Sequence, residues 1–119
     1  MTPDEAATMP EYSIVVPVFN EEENIAPLLE RVEKVMDGVE GVHEIVIVEN
    51  GSYDSTPVIL GNLIRKYRSL VVVTRTRNFG YDGAIATGLE YAQGKWIVIM
   101  DGDQQDPPGV VGLRDLGHL

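Results

Sequence analysis

Tyr12-Ser13-Ile14-Val15-Val16-Pro17-Val18 is short, β-branched and almost continuously apolar. A run of this kind, without polar alternation, describes a strand covered on both faces, as in a parallel sheet. Pro17 cannot donate to a hydrogen-bond ladder, so it belongs at the strand's end. Working outward, Phe19-Asn20-Glu21-Glu22-Glu23-Asn24 is polar, and Ile25, Leu28, Leu29, Val32, Val35 and Met36 then fall on one helical stripe. Asn24 is the expected N-cap, which puts Pro27 in the first turn, where a missing N–H is harmless. Gly38 is the expected stop. Glu21-Glu22-Glu23 reads as a solvated turn complementing the helix dipole, with Glu21 alone a site candidate.

The same unit recurs. Glu44-Ile45-Val46-Ile47-Val48 is a second buried strand, ending in Glu49-Asn50-Gly51-Ser52-Tyr53-Asp54. Asp54 or Thr56 caps a second helix with Pro57 in its first turn and Leu60, Leu63, Ile64 and Tyr67 on its inner face. Leu70-Val71-Val72-Val73-Thr74 is a third strand, followed by Arg75-Thr76-Arg77-Asn78-Phe79-Gly80. A third helix runs from Asp82 to Ala92 and stops at Gly94, with Gly83, Ala84, Ala86 and Gly88 small enough for close approach to the sheet or to a ligand. The fourth strand begins Trp96-Ile97-Val98-Ile99-Met100. Four strands alternating with three amphipathic helices define an α/β domain with an open parallel sheet, right-handed crossovers and helices on both faces.

Composition sets bounds. The chain has 119 residues, 44% of them hydrophobic and 24% charged, as in a soluble single-domain protein. A net charge of −10 argues against a nucleic-acid backbone as partner, because Lys and Arg must neutralise phosphates there. There is no cysteine, hence neither disulfide nor thiol chemistry, and a reducing cytoplasm is compatible. No apolar run approaches the ~20 residues that span a bilayer. Residues 1–11 read as a loose leader, 12–108 as the domain and 109–119 as an irregular tail. Glycine is frequent in that tail and makes a poor helix there. Strand four is therefore expected at or near a sheet edge, where self-association to a homo-oligomer is the exposed strand's hazard.

Strand four ends in Asp101-Gly102-Asp103-Gln104-Gln105-Asp106-Pro107-Pro108. Carboxylates that close repel each other and lose solvation, and a divalent cation, Mg²⁺ or Mn²⁺, would relieve both costs. An acidic turn before two prolines is the bland alternative. The other strand ends bear on the choice. Asn20 and Glu21 follow the first strand, Glu49, Asn50 and Asp54 the second, and Arg75, Arg77 and Asn78 the third. Open parallel sheets bind ligands at that end. No G-x-G-x-x-G and no P-loop follows strand one, so a diphosphate would be held through a metal and not by a glycine cradle. Glu49 could accept from a ribose hydroxyl or base edge, and Arg75 or Arg77 could pair with phosphate.

These residues carry a resemblance. Ile14 to Glu21, Val46 to Asp54, Arg77-Asn78-Phe79-Gly80 and Met100 to Pro108 together resemble family 2 glycosyltransferases of the GT-A fold. Within these they are most similar to polyprenyl- or dolichyl-phosphate mannosyl- and glucosyltransferases. The resemblance covers residues 12 to 108, only the first half of a typical catalytic domain of that family. It implies strand order 3-2-1-4 and a nucleotide pocket lined by Pro17, Phe19, Asn20 and Glu21. Glu49 stands where an Asp usually contacts the nucleoside, and Asn50 where a second Asp is common. Asp101 and Asp103 match a D-x-D that holds the metal and the donor's diphosphate at the centre of catalysis, Gly102 lies between them beside the nucleotide, and Gln105 matches a further metal or phosphate ligand. The implied reaction is metal-dependent, inverting transfer of a hexose from a GDP-mannose- or UDP-glucose-type donor to a lipid phosphate. It would occur in the cytoplasm or at the cytoplasmic membrane face. A donor-binding half alone is expected to be a poor transferase, and a non-catalytic nucleotide-binding fragment is the alternative.

Overall fold

The computed structural model describes residues 9–100 and the backbone of residues 112–115. Strands β1 (Tyr12–Val18), β2 (His43–Glu49), β3 (Leu70–Thr74) and β4 (Trp96–Ile99) alternate with helices α1 (Ile25–Asp37), α2 (Thr56–Lys66) and α3 (Gly80–Tyr91). β1 pairs in parallel with β2 and with β4, and β2 with β3, which gives the expected order 3-2-1-4. The β-branched runs build this sheet because both of its faces are covered. Ile14, Val16, Ile45 and Ile47 pack under Ile25, Leu28, Leu29 and Val32 of α1 and Leu60 of α2. On the opposite face Val15, Val46 and Ile97 meet Ile85 and Leu89 of α3. Burying such a side chain stabilises by about 1.5–3 kcal/mol, so the two half-cores together hold the sheet.

α3 lies close because of its small residues. A Cβ on Gly88 would overlap Val15 Cγ1 and lie 3.3 Å from Val48 Cγ2. At the amino end of the sheet, buried Ser13 donates to the Glu44 carboxylate (2.5 Å), which also accepts from Gln93 N–H (2.7 Å). Ser13 Oγ in turn accepts from Gly94 N–H (2.7 Å). This pins the α3–β4 turn to β1 and β2.

Several local expectations are corrected. α3 begins at Gly80 and ends at Tyr91, earlier at both ends than Asp82 and Ala92. Val35 and Ile64 are exposed; α1 turns its stripe from Ile25 to Val32 inward, and α2 buries Thr56 instead of Ile64. Asn24 sits at the N-cap position but makes no capping bond, and its side-chain amide donates to Glu21 Oε2 instead (2.7 Å). Residues 112–115 form β5 (Gly112–Asp115), which pairs antiparallel with β4. The tail is thus not irregular throughout, and β4 lies near the sheet edge, one strand in from it. Glycine opposes a helix there but not a short strand, and the unpaired groups of β4 are a ready template for one.

Pro17 stands one residue before the end of β1. Its neighbours Val16 and Val18 face β2, while Val15 faces β4 and accepts from Met100 N–H (3.0 Å). Pro17 faces the same way as Val15 but has no N–H, so it donates nothing to the β4 side of β1.

Candidate functional site

Because α1 and α2 cover one face and α3 the other, the connections diverge between the carboxyl ends of β1 and β4, where open sheets bind ligands. The loops after β1 and β2 are knitted together at this end. Asn20 adopts a left-handed conformation (φ 52°), rare for a non-glycine residue. Its N–H donates to Ser52 Oγ (2.8 Å), and its Oδ1 accepts from Tyr53 N–H (3.0 Å). Glu21 N–H donates to Thr56 Oγ1 (2.9 Å). Glu22 N–H donates to Asp54 Oδ2 (3.3 Å), while Glu22 Oε2 accepts from Ser55 N–H (3.0 Å). The Glu22 carboxylate therefore serves the start of α2, not of its own helix. Asp54 also accepts from Thr56 N–H (2.8 Å). Desolvation is the largest influence on the Asp54 carboxyl and pushes its pKa up. Hydrogen bonds from the Thr56 side chain and the N–H groups of Thr56, Glu22 and Asp54 outweigh it and hold the pKa below its ordinary value.

Glu49 closes β2 and is 1% exposed. Its backbone is fixed by the ladder and by Arg75 N–H, which donates to the Glu49 carbonyl (2.8 Å). Its carboxylate accepts from Ser52 N–H (2.8 Å), and makes no other hydrogen bond among the described residues. A buried carboxylate is costly unless its lone pairs are matched. This one retains acceptor capacity at the ligand end of the sheet. Above it Phe19 and Tyr53 meet edge to face, ring centroids 5.7 Å apart, with Tyr53 85% exposed. Pro17 and Phe19 are half-buried.

Asn50 is buried differently. Its Nδ2 donates to Asn78 Oδ1 (3.0 Å) and to the Gly80 carbonyl (3.2 Å), and its Oδ1 accepts from Phe79 N–H (3.3 Å). Its whole side chain holds the turn before α3. Next to it Gly51 has φ 81°, and a Cβ there would lie 2.5 Å from Arg77 Cα. The Arg77 backbone thus rests directly on Gly51. The guanidinium of Arg77 lies over the Phe79 ring (4.6 Å) and makes no hydrogen bond among the described residues. Arg75 covers the same ring (3.9 Å), but its Nη1 donates to the Gly83 carbonyl (2.7 Å) and to Thr87 Oγ1 (2.5 Å). Arg75 braces α3, and Arg77 is the arginine left for an anion.

The structure brings Asn20, Glu21, Glu49, Asp54 and Arg77 to one end of the sheet, with Asn50 beneath them. Asp101, Gly102, Asp103 and Gln105 lie outside the described residues. Among the described residues no three His, Asp or Glu side chains gather as a metal site. Two carboxylates and an amide oxygen at 101, 103 and 105 are the hard oxygen donors that Mg²⁺ or Mn²⁺ takes, so the donor set fits the cation by chemistry. Sequence reading missed Gly51 and Ser52 and gave Thr56 only as a helix cap, whereas all three tie the loops together. The G-S-x-D-x-T spacing after a strand is the signal that could have shown them.

An α/β domain of this kind carries its ligand site at the switch point between β1 and β4. The sequence model of glycosyl transferase family 2 matches residues 13–113, and the chain is a member of that family. It is 41% identical over 101 residues to the uncharacterized glycosyltransferase YkcC of Bacillus subtilis, covering 85% of this chain and 31% of that protein. It is 40% identical over 99 residues to the dodecaprenyl-phosphate galacturonate synthase of Rhizobium johnstonii, covering 82% of this chain and 29% of that one. Among solved structures, the mannosyltransferase PcManGT of Pyrobaculum calidifontis, in complex with GDP-Man and Mn²⁺, is 29% identical with a TM-score of 0.63, over 80% of this chain and 28% of that one. Staphylococcus aureus TarS 1–349 with UDP-GlcNAc is 26% identical with a TM-score of 0.65, over 78% and 26%. The chain thus spans about a third of the length of the curated relatives it matches.

Proposed function

We propose that this chain forms the donor-binding part of an enzyme that moves a hexose from a nucleotide-diphosphate sugar, of the GDP-mannose or UDP-glucose type, to a polyprenyl phosphate. The buried Glu49 carboxylate, with a single hydrogen bond from Ser52 at the ligand end of the sheet, carries the reading. It is placed to accept from a nucleoside N–H or O–H, with the Asn20–Ser52 clamp and the Phe19–Tyr53 pair fixing the pocket beside it. Arg77 supplies positive charge for the diphosphate. A divalent cation held by Asp101, Asp103 and Gln105 would add Lewis-acid stabilisation of the departing diphosphate. A lipid phosphate is anionic at neutral pH, so it attacks the anomeric carbon from the opposite face, with inversion, without a protein base. The names of the polyprenyl-phosphate relatives support this acceptor, and such an acceptor would place the work at the cytoplasmic membrane face.

Isothermal titration of GDP and UDP, with and without Mn²⁺, tests the reading on the wild-type chain and on Asp103→Ala. One nucleotide should bind in Mn²⁺ and lose at least tenfold in affinity without the metal or in the variant. Metal-independent binding that ignores Asp103→Ala overturns the metal assignment. No binding of either nucleotide overturns the donor site.

A further inference from the structure

We infer that Asn50 is a positioning residue that sets Arg77 for an anionic ligand through the turn before α3, without touching the ligand itself. The inference rests on the donor-site reading above and adds a residue that acts through another. Every polar group of the Asn50 side chain is engaged, two donors on Asn78 Oδ1 and Gly80 O and one acceptor on Phe79 N–H, and the residue is 4% exposed. Asn78 Oδ1 also accepts from Gly80 N–H (2.7 Å), so Asn50 and Asn78 close a shared network over the turn. What this network fixes is the surroundings of Arg77. Its backbone sits on Gly51, and its guanidinium lies over the Phe79 ring, whose N–H Asn50 holds. A guanidinium on a long side chain loses much rotational freedom on binding, and a pre-set ring beneath it lowers that cost.

The neutral amide is specific to this task. An aspartate at position 50 could accept from Phe79 N–H but as a carboxylate could donate to neither Asn78 Oδ1 nor Gly80 O. The Asn50 amide thus matches all three of its partners.

Titration with GDP and UDP in Mn²⁺ on the wild type, Asn50→Ala, Arg77→Ala and the double variant decides the matter, with thermal unfolding of each as a check on folding. Asn50→Ala should weaken the nucleotide that binds by at least tenfold. On the Arg77→Ala background the same change should add less than twofold, because both act on one guanidinium. If Asn50→Ala does not fold, Asn78→Ala breaks the network from its exposed side and should show the same non-additivity. Wild-type affinity in Asn50→Ala, or losses that multiply in the double variant, overturn the positioning role while leaving the donor site intact. A wild-type chain that binds neither nucleotide overturns the donor-site reading and the inference with it.

Discussion

At the scale of single residues, the site end is held by groups whose substitution has a defined cost. Gly51 combines a positive φ with the Arg77 backbone pressed against it. Gly51→Ala should lose about 1–2 kcal/mol to the left-handed conformation and about 1–3 kcal/mol more to the overlap, read as a shift in urea midpoint. Asp54 gives a pH signature. Its folded pKa lies below the unfolded one, so the unfolded chain binds more protons as the solution is acidified. The stability it contributes is complete at neutral pH and fades as the pH falls through the folded value. Asp54→Asn should therefore show a flatter decline of urea midpoint below pH ~4 than the wild type; equal slopes would remove Asp54 from the acid response. The chemistry-bearing types at these positions were legible in the sequence. Their partners were not, because Asn20 with Ser52, Glu22 with Ser55 and Asn50 with Asn78 meet only once the strands are ordered.

At the scale of elements, strands read more plainly than helix ends. A parallel strand announces itself by an unbroken β-branched run, and Leu70–Thr74 appears in the structure with the bounds its sequence suggests. Helix α3 does not, because Gly80 starts it with a positive φ and an Asn50-held turn, features that no local signal carries. The buried trio of Ser13, Glu44 and Gly94 was also silent in the sequence, since a polar residue inside a strand looks like an interruption until its partners are known. Ser13→Ala leaves the Gly94 N–H and the Glu44 carboxylate each short of a partner. It should cost about 1–3 kcal/mol in denaturant unfolding, with no change in nucleotide affinity, because the trio lies at the opposite end of the sheet.

At the scale of the whole molecule, a parallel sheet with both faces covered follows from alternation and short connections and was readable, whereas the order 3-2-1-4 was implied by the resemblance. The fifth strand was not. Gly112–Asp115 has no β-branched run, and its pairing arises from what β4 offers and not from its own propensity. That pairing covers an edge that a second chain could otherwise use. A variant lacking residues 109–119 should self-associate with rising concentration in sedimentation velocity while the intact chain does so less. Equal behaviour of the two would mean that β5 does not guard the edge.

The ends of β1 and β2 have a practical consequence. Among the described residues the last bond joining β1 to β4 runs from Met100 N–H to the Val15 carbonyl, and Pro17 contributes no donor after it. Glu49, at the end of β2, is locked by strands on either side. Each change at Glu49 will therefore report folding and affinity at once.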